Sequence, residues 1–409
     1  MHSSPQTARP LLAALAAALC AALLAGFAFA GQAAASSGIS VGTRVAAGKL
    51  SITARCKLQV KRASRGKAVS SRVQSAKVRR CGNRLKRAAA SRKKRSRSAK
   101  QVTAIPAVGP LVMGIDGGYG DWSDSETAQR AALGAAVTRH EWDTSEPVDA
   151  QDDLVYKAAA EVHTRIHALL GENELGDPSQ YREWVVGFIR RYGVGGSFWQ
   201  ENPELDPRYA ITTFELGNEP YFGGMSPSEY AGTVLPTLEE VKRLGLPAKI
   251  ILPSRVYGND TTWIDTLYKL IPNLNELFYA FADHPYWYGH DPATVDAAGP
   301  FGRIAKLRSR MNELGAGAKP IFLTEYGEST ASCGEECVDE ATQAQHLAEM
   351  IGAVTSHPEW GIEMLSVFQL LDRGTGSSDR ELQFGLLRQN GTPKPSYAVV
   401  ESGLQQFRG

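Results

Sequence analysis

No acidic residue occurs in the first 115 positions of this 409-residue chain; Asp116 is the first. The same stretch holds 22 Lys and Arg. Residues 116–409 carry 23 Lys and Arg against all 43 Asp and Glu, a net −20, so the overall +2 describes neither part. Aromatic residues are missing from Val41 to Lys100, where 21 of the cations lie. With no rings for base stacking, that charge is not expected to serve nucleic-acid binding. Like charges at this density repel and there is little apolar surface to bury, so residues 31–105 are expected to form a basic, largely disordered arm. The arm either attaches by charge to an acidic polymer of the cell envelope or acts as a solvated spacer.

Cysteine is scarce, with five in all. Cys20 lies within residues 11–30, an unbroken apolar run that follows Arg9 and ends in Ala28-Phe29-Ala30 before Gly31. The run reads as an export signal spanning residues 1–30 and cleaved after Ala30, although its length also permits an N-terminal anchor. In either case the rest of the chain is expected outside the cytoplasm, secreted or bound to the envelope. The four remaining cysteines then suggest two disulfides by proximity, Cys56–Cys81 and Cys333–Cys337. A metal reading of Cys333-Gly334-Glu335-Glu336-Cys337 finds no second Cys or His pair at zinc-site spacing. No cofactor or catalytic metal is expected.

Internal repeats are absent too, and from 106 to 409 strand and helix signals alternate. Eight strand candidates follow in order: 111–115, 136–141, 165–170, 211–216, 249–253, 276–281, 319–324 and 364–371. Helices separate them, and two carry clear signals. Asp177-Pro178-Ser179-Gln180 opens a helix that Gly193 closes, and Ser226-Pro227-Ser228-Glu229 opens one that Gly245 closes. A last helix from Ser396 to about Phe407 completes the pattern. The expected fold is α/β, a (β/α)8 TIM barrel occupying 106–409 as a monomer.

Two segments carry the chemistry. Phe214-Glu215-Leu216-Gly217-Asn218-Glu219-Pro220 and Ile321-Phe322-Leu323-Thr324-Glu325-Tyr326-Gly327 are apolar runs ending in a glutamate that Pro220 or Gly327 then stops. The C-terminal ends of barrel strands are where such a fold places its reacting groups. Two carboxylates facing each other there suit hydrolysis of a glycosidic bond, one as acid/base and one as nucleophile. Trp122, Trp142, Trp199, Tyr221 and Phe222 follow strand ends, where rings can stack on sugars or simply pack loops.

These residues resemble glycoside hydrolase clan A, closest in look to the cellulase-type family five and its family thirty-nine relatives, over about residues 111–400. The resemblance implies a retaining enzyme acting on a β-linked polysaccharide or oligosaccharide. It makes Glu219 the acid/base, Asn218 a ligand of the sugar 2-hydroxyl and Glu325 the nucleophile. His284-Pro285-Tyr286 is similar to a His-x-Tyr motif in which Tyr286 holds the nucleophile and His284 supports the acid/base. Arg139 stands where the clan places an arginine beside the nucleophile; a surface ion pair with Glu141 or Asp143 is the alternative. The strand-eight tryptophan of these families is absent, leaving Phe368 or Trp287 to floor the sugar site. Burial beside a charged Glu325 should raise the pKa of Glu219, while Arg139 and Tyr286 keep Glu325 ionised. A non-catalytic sugar-binding barrel tethered by its arm, or a structural envelope protein, are the competing readings.

Overall fold

The computed structural model describes residues 109–408 apart from 120–121, 149, 173–174, 295 and 377. The export signal, the basic arm and the Cys56–Cys81 pair lie outside the described residues. Eight parallel strands close into a barrel in sequence order. They are β1 (Val112–Tyr119), β2 (Val137–Trp142), β3 (Arg165–Leu170), β4 (Thr213–Leu216), β5 (Lys249–Pro253), β6 (Ala280–Asp283), β7 (Ile321–Tyr326) and β8 (Ile362–Val367). Every residue of β6, β7 and β8 is buried, as befits strands covered on both faces.

Nine α-helices among the described residues form the outer layer: α1 (Asp124–Leu133), α2 (Ala150–Glu161), α3 (Pro178–Tyr192), α4 (Ser197–Glu201), α5 (Pro227–Leu244), α6 (Thr262–Leu270), α7 (Pro300–Glu313), α8 (Glu340–Ser356) and α9 (Pro395–Gln406). The expected caps set α3 and α5. Asp177 accepts from the amides of Ser179 and Gln180. Ser226 and Glu229 form a reciprocal capping box, and Gly245 ends α5 in the left-handed region.

Differences from the sequence reading fall at element ends. Strand six was expected at 276–281 but runs from Ala280 to Asp283. Leu274–Glu276 makes a 3-10 turn instead, and Leu277 and Phe278 join the buried helix-facing core. β8 stops at Val367 rather than 371, and α9 begins one residue earlier than expected, at Pro395.

Two apolar layers result. The larger lies between strands and helices. The smaller fills the barrel itself with Ile251, Ala280, Ala282, Phe322 and Met364, capped by Val137 and Tyr279. This is the packed interior expected of the architecture. Above it, at the C-terminal ends of the strands, the filling turns polar.

Candidate active site

The polar layer is built on one arginine. Arg139 of β2 is 3% exposed and contacts three carboxylates and an amide. Its Nε donates to Glu215 Oε2 at 2.9 Å, and its Nη1 to Asp116 Oδ2 at 2.8 Å and Glu325 Oε1 at 2.7 Å. Its Nη2 donates to Asn218 Oδ1 at 3.0 Å, which orients that amide. Neither Glu141 nor Asp143 is among its ion-pair partners. Burial opposes the guanidinium charge, but Glu215, Glu325 and Asp116 raise its pKa well above the ordinary arginine value.

Glu325 stands one residue before the end of β7 with both oxygens engaged: Oε1 by Arg139, and Oε2 by the Tyr286 hydroxyl at 2.9 Å. Behind it Gly327 lets the chain pass β8, since a Cβ there would meet the Phe368 carbonyl oxygen at 2.0 Å. Glu219 stands just past β4 in a left-handed conformation, φ 42°, rare for a side chain other than glycine. Such a backbone costs ~1–3 kcal/mol and persists where surrounding structure holds it. Here the Glu219 carbonyl accepts from Phe222 N at 2.7 Å, and the Tyr221 hydroxyl donates to its Oε1 at 3.4 Å.

His284 joins the two glutamates. Its Nδ1 is 3.0 Å from Glu219 Oε1 and 3.6 Å from Glu325 Oε2, contacts that are ionic rather than well-aligned hydrogen bonds. On its other side Nε2 is 2.9 Å from Thr324 Oγ1, whose hydroxyl donates to Glu215 Oε1 at 3.1 Å. The single hydroxyl proton is therefore spent on Glu215, so Nε2 must be the donor to Thr324. Nδ1, facing both glutamates, is left as the nitrogen that titrates. Burial works against a charged imidazole, yet Glu325 and Glu219 push it up to about 9.

The charge balance reverses the pKa directions expected for the two glutamates. Burial favours the neutral form of Glu219, but His284, Arg139 and Arg303 outweigh it and lower its pKa. At Glu325, burial together with Asp116 and Glu219 outweighs His284 and Arg139, and its pKa is raised. Glu215, fully buried, is drawn well below the carboxylate range by Arg139 and His167 despite its desolvation.

A cavity of about 590 Å³ opens over this cluster, lined by Asp116, Arg139, Asn218, Glu219, Glu325 and Phe368 among others. Phe368 thus stands in the cavity where a tryptophan was missed. Trp287 lies in a neighbouring cavity instead. Of the other rings, Trp142 and Trp199 are buried and bonded to Asp152 and the Tyr192 carbonyl, so they pack loops. Trp122 is held by His140 and Arg130. Phe222 is 72% exposed at the rim and Tyr221 touches Glu219. Cys333 and Cys337 form a disulfide in the loop after β7, with Cα atoms 5.5 Å apart.

Sequence reasoning missed Asp116, His167, Glu215 and Thr324. A charged residue inside an otherwise apolar parallel strand was the available signal for Glu215, since such a group stays buried only when paired.

No family model matches the chain, and no curated protein matches it in sequence. Its fold is similar to that of solved glycoside hydrolases. A family 39 glycoside hydrolase from Bacteroides cellulosilyticus WH2 aligns with a TM-score of 0.57 at 14% identity, over 73% of this chain and 64% of that one. A glucosidase from Croceicoccus marinus aligns at 0.53 and 14%, over 75% and 70%. A GH5_18 protein from Bifidobacterium longum subsp. infantis aligns at 0.50 and 13%, over 73% and 79%. The chain thus spans less than two thirds of the first of these. The likeness establishes a shared barrel fold.

Proposed function

We propose that the protein is a retaining glycoside hydrolase that cleaves β-linked sugars by double displacement. The observation that carries this is the convergence of Glu219 and Glu325 on one imidazole nitrogen at the barrel mouth. Carboxyls bridged by a single ring atom suit the ~5–5.5 Å separation of a retaining pair better than the ~6.5–9.5 Å that leaves room for an inverting water. The glycosidases that share this barrel support the sugar substrate, and the clan resemblance supports the β-linkage.

In the first step an oxygen of Glu325 attacks the anomeric carbon while the bond to the leaving oxygen breaks. Glu219 delivers a proton to that oxygen, supplied to it by the His284 imidazolium, so carboxylate and imidazole together hold one transferable proton. Arg139 and Tyr286 fix Glu325 for attack, and Arg139 also turns the Asn218 amide toward the sugar. In the second step Glu219 takes a proton from water. The resulting hydroxide displaces Glu325 from the sugar and the proton returns to the Glu219–His284 pair.

Proton NMR of the first-formed sugar from a β-linked substrate tests the reading: the β-anomer should appear first. Glu219→Ala should spare glycosylation by substrates with good leaving groups, which need no proton, whereas Glu325→Ala should stop all substrates. An α-anomer appearing first would mean inversion and remove Glu325 as nucleophile.

A further inference from the structure

A second cavity of about 470 Å³ shares Glu219, Phe222, Tyr286 and Tyr288 with the first but does not reach Glu325. In the proposed reaction the nucleophile marks the sugar whose anomeric carbon it attacks and retains, and the acid marks the bond to the leaving group. A cavity that contains the acid and not the nucleophile is therefore where the leaving group goes.

Its chemistry is uneven. Tyr221, Trp287 and Tyr288 supply rings, and Arg255, Arg303 and His284 supply positive charge. Two carboxylates also line it, Glu219 and Glu336. Glu219 is held by His284, and Glu336 by Arg380 at 2.8 Å. Arg303 is half-compensated: its Nη2 donates to Asp283 Oδ1 at 3.4 Å, while its Nε is buried with no partner among the described residues. Arg255 is exposed and makes no ion pair among the described residues. Its guanidinium stands 5.3 Å from the centre of the Tyr221 ring, whose hydroxyl reaches Glu219. A guanidinium resting on the ring that touches the acid stands beside the position proposed for the leaving group, and its planar fork suits an oxyanion.

We propose that Arg255, backed by Arg303, selects a leaving-group sugar that bears an acidic substituent, a carboxylate or a sulfate. The inference rests on the hydrolase reading for the orientation of the substrate, but its test reads binding and not turnover. Full-length protein is titrated calorimetrically with glucuronic acid, glucose 6-sulfate and glucose, in the wild type, Arg255→Ala and Arg255→Lys. One acid should bind at least about tenfold more tightly than glucose, the factor that ~1.4 kcal/mol of charge-assisted bonding gives. Which acid wins distinguishes carboxylate from sulfate. Arg255→Ala should erase the preference and Arg255→Lys should keep part of it. The basic arm is common to all three proteins, so only the difference between them is read. Equal binding of the three sugars, no detectable binding of either acid, or a preference that survives Arg255→Ala overturns the proposal. Aryl β-glycosides score hydrolysis separately. Arg255-dependent acid binding without cleavage of aryl β-glycosides or of β-glycosides whose leaving sugar is acidic would refute the hydrolase and leave an acidic-sugar site standing.

Discussion

Replacing His284 with glutamine tests whether the proton of the reaction is held by His284 and Glu219 together. A rise of the imidazole from about 6.5 to about 9 corresponds to roughly 3 kcal/mol of extra preference for the charged form, supplied by Glu325 and Glu219 against burial. The proposed reaction needs Glu325 ionised and one proton on the Glu219–His284 pair. Because the pKa of Glu325 is raised, the acidic limb of kcat/KM against pH should lie above the ordinary glutamate value of ~4.3. The basic limb should lie near 9, where the pair loses its proton. In His284→Gln the carboxyl of Glu219 must hold the proton alone, and the basic limb should move down by several pH units. Stability should follow the same group. A folded-state pKa above the unfolded one stabilises fully below pH ~6.5, and that contribution disappears as pH rises through about 9. Urea unfolding of the wild type at pH 6 and pH 9.5 should differ in that direction, and the glutamine variant should lose that part of the difference. A wild-type basic limb near 5–6, or one that glutamine leaves in place, would refute the shared proton.

Arg139→Leu should destabilise the barrel by ~3–5 kcal/mol at neutral pH, because it strands Asp116, Glu215 and Glu325 as buried charges without their cation. The deficit, measured by chemical unfolding, should shrink in acid as Glu215 and Glu325 take up protons; a cost below 1 kcal/mol would show that other groups carry the charge balance. Replacing Cys333 and Cys337 together with serine should lower stability by ~2–3 kcal/mol at most, since the loop they close is short. An unchanged thermal midpoint would mean the loop is held by other contacts, such as Glu336 to Arg380.

The barrel was readable because its signals are local. Apolar runs of strand length alternate with helices whose caps, Asp177 and Ser226, need only their own next three residues. Strand six was misplaced for the opposite reason. Leu277 and Phe278 look like strand residues, but α/β packing uses them in the helix-facing layer, and only the register with Ile251 and Ile321 decides where pairing begins. The chemistry divides in the same way. Glu219 and Glu325 could be named from the residues beside them, and Arg139, His284 and Tyr286 from the resemblance. Asp116, His167 and Thr324 belong to the site only through partners that fold against them from other strands.

Glu215 shows what this dependence does to a pKa argument made before the fold is known. Two carboxyls considered alone suggest that burial and mutual repulsion raise the acid and that one arginine settles the nucleophile. In the folded site burial, together with Asp116 and Glu219, outweighs the pull of His284 and Arg139 on Glu325. Glu215 also ties down Thr324, which fixes the His284 tautomer and turns the titrating nitrogen toward Glu219. Through Thr324, Glu215 thereby bears on which imidazole nitrogen faces Glu219. The imidazole, raised to about 9, then stands 3.0 Å from the expected acid, close enough in the proposed reaction to share its proton with Glu219.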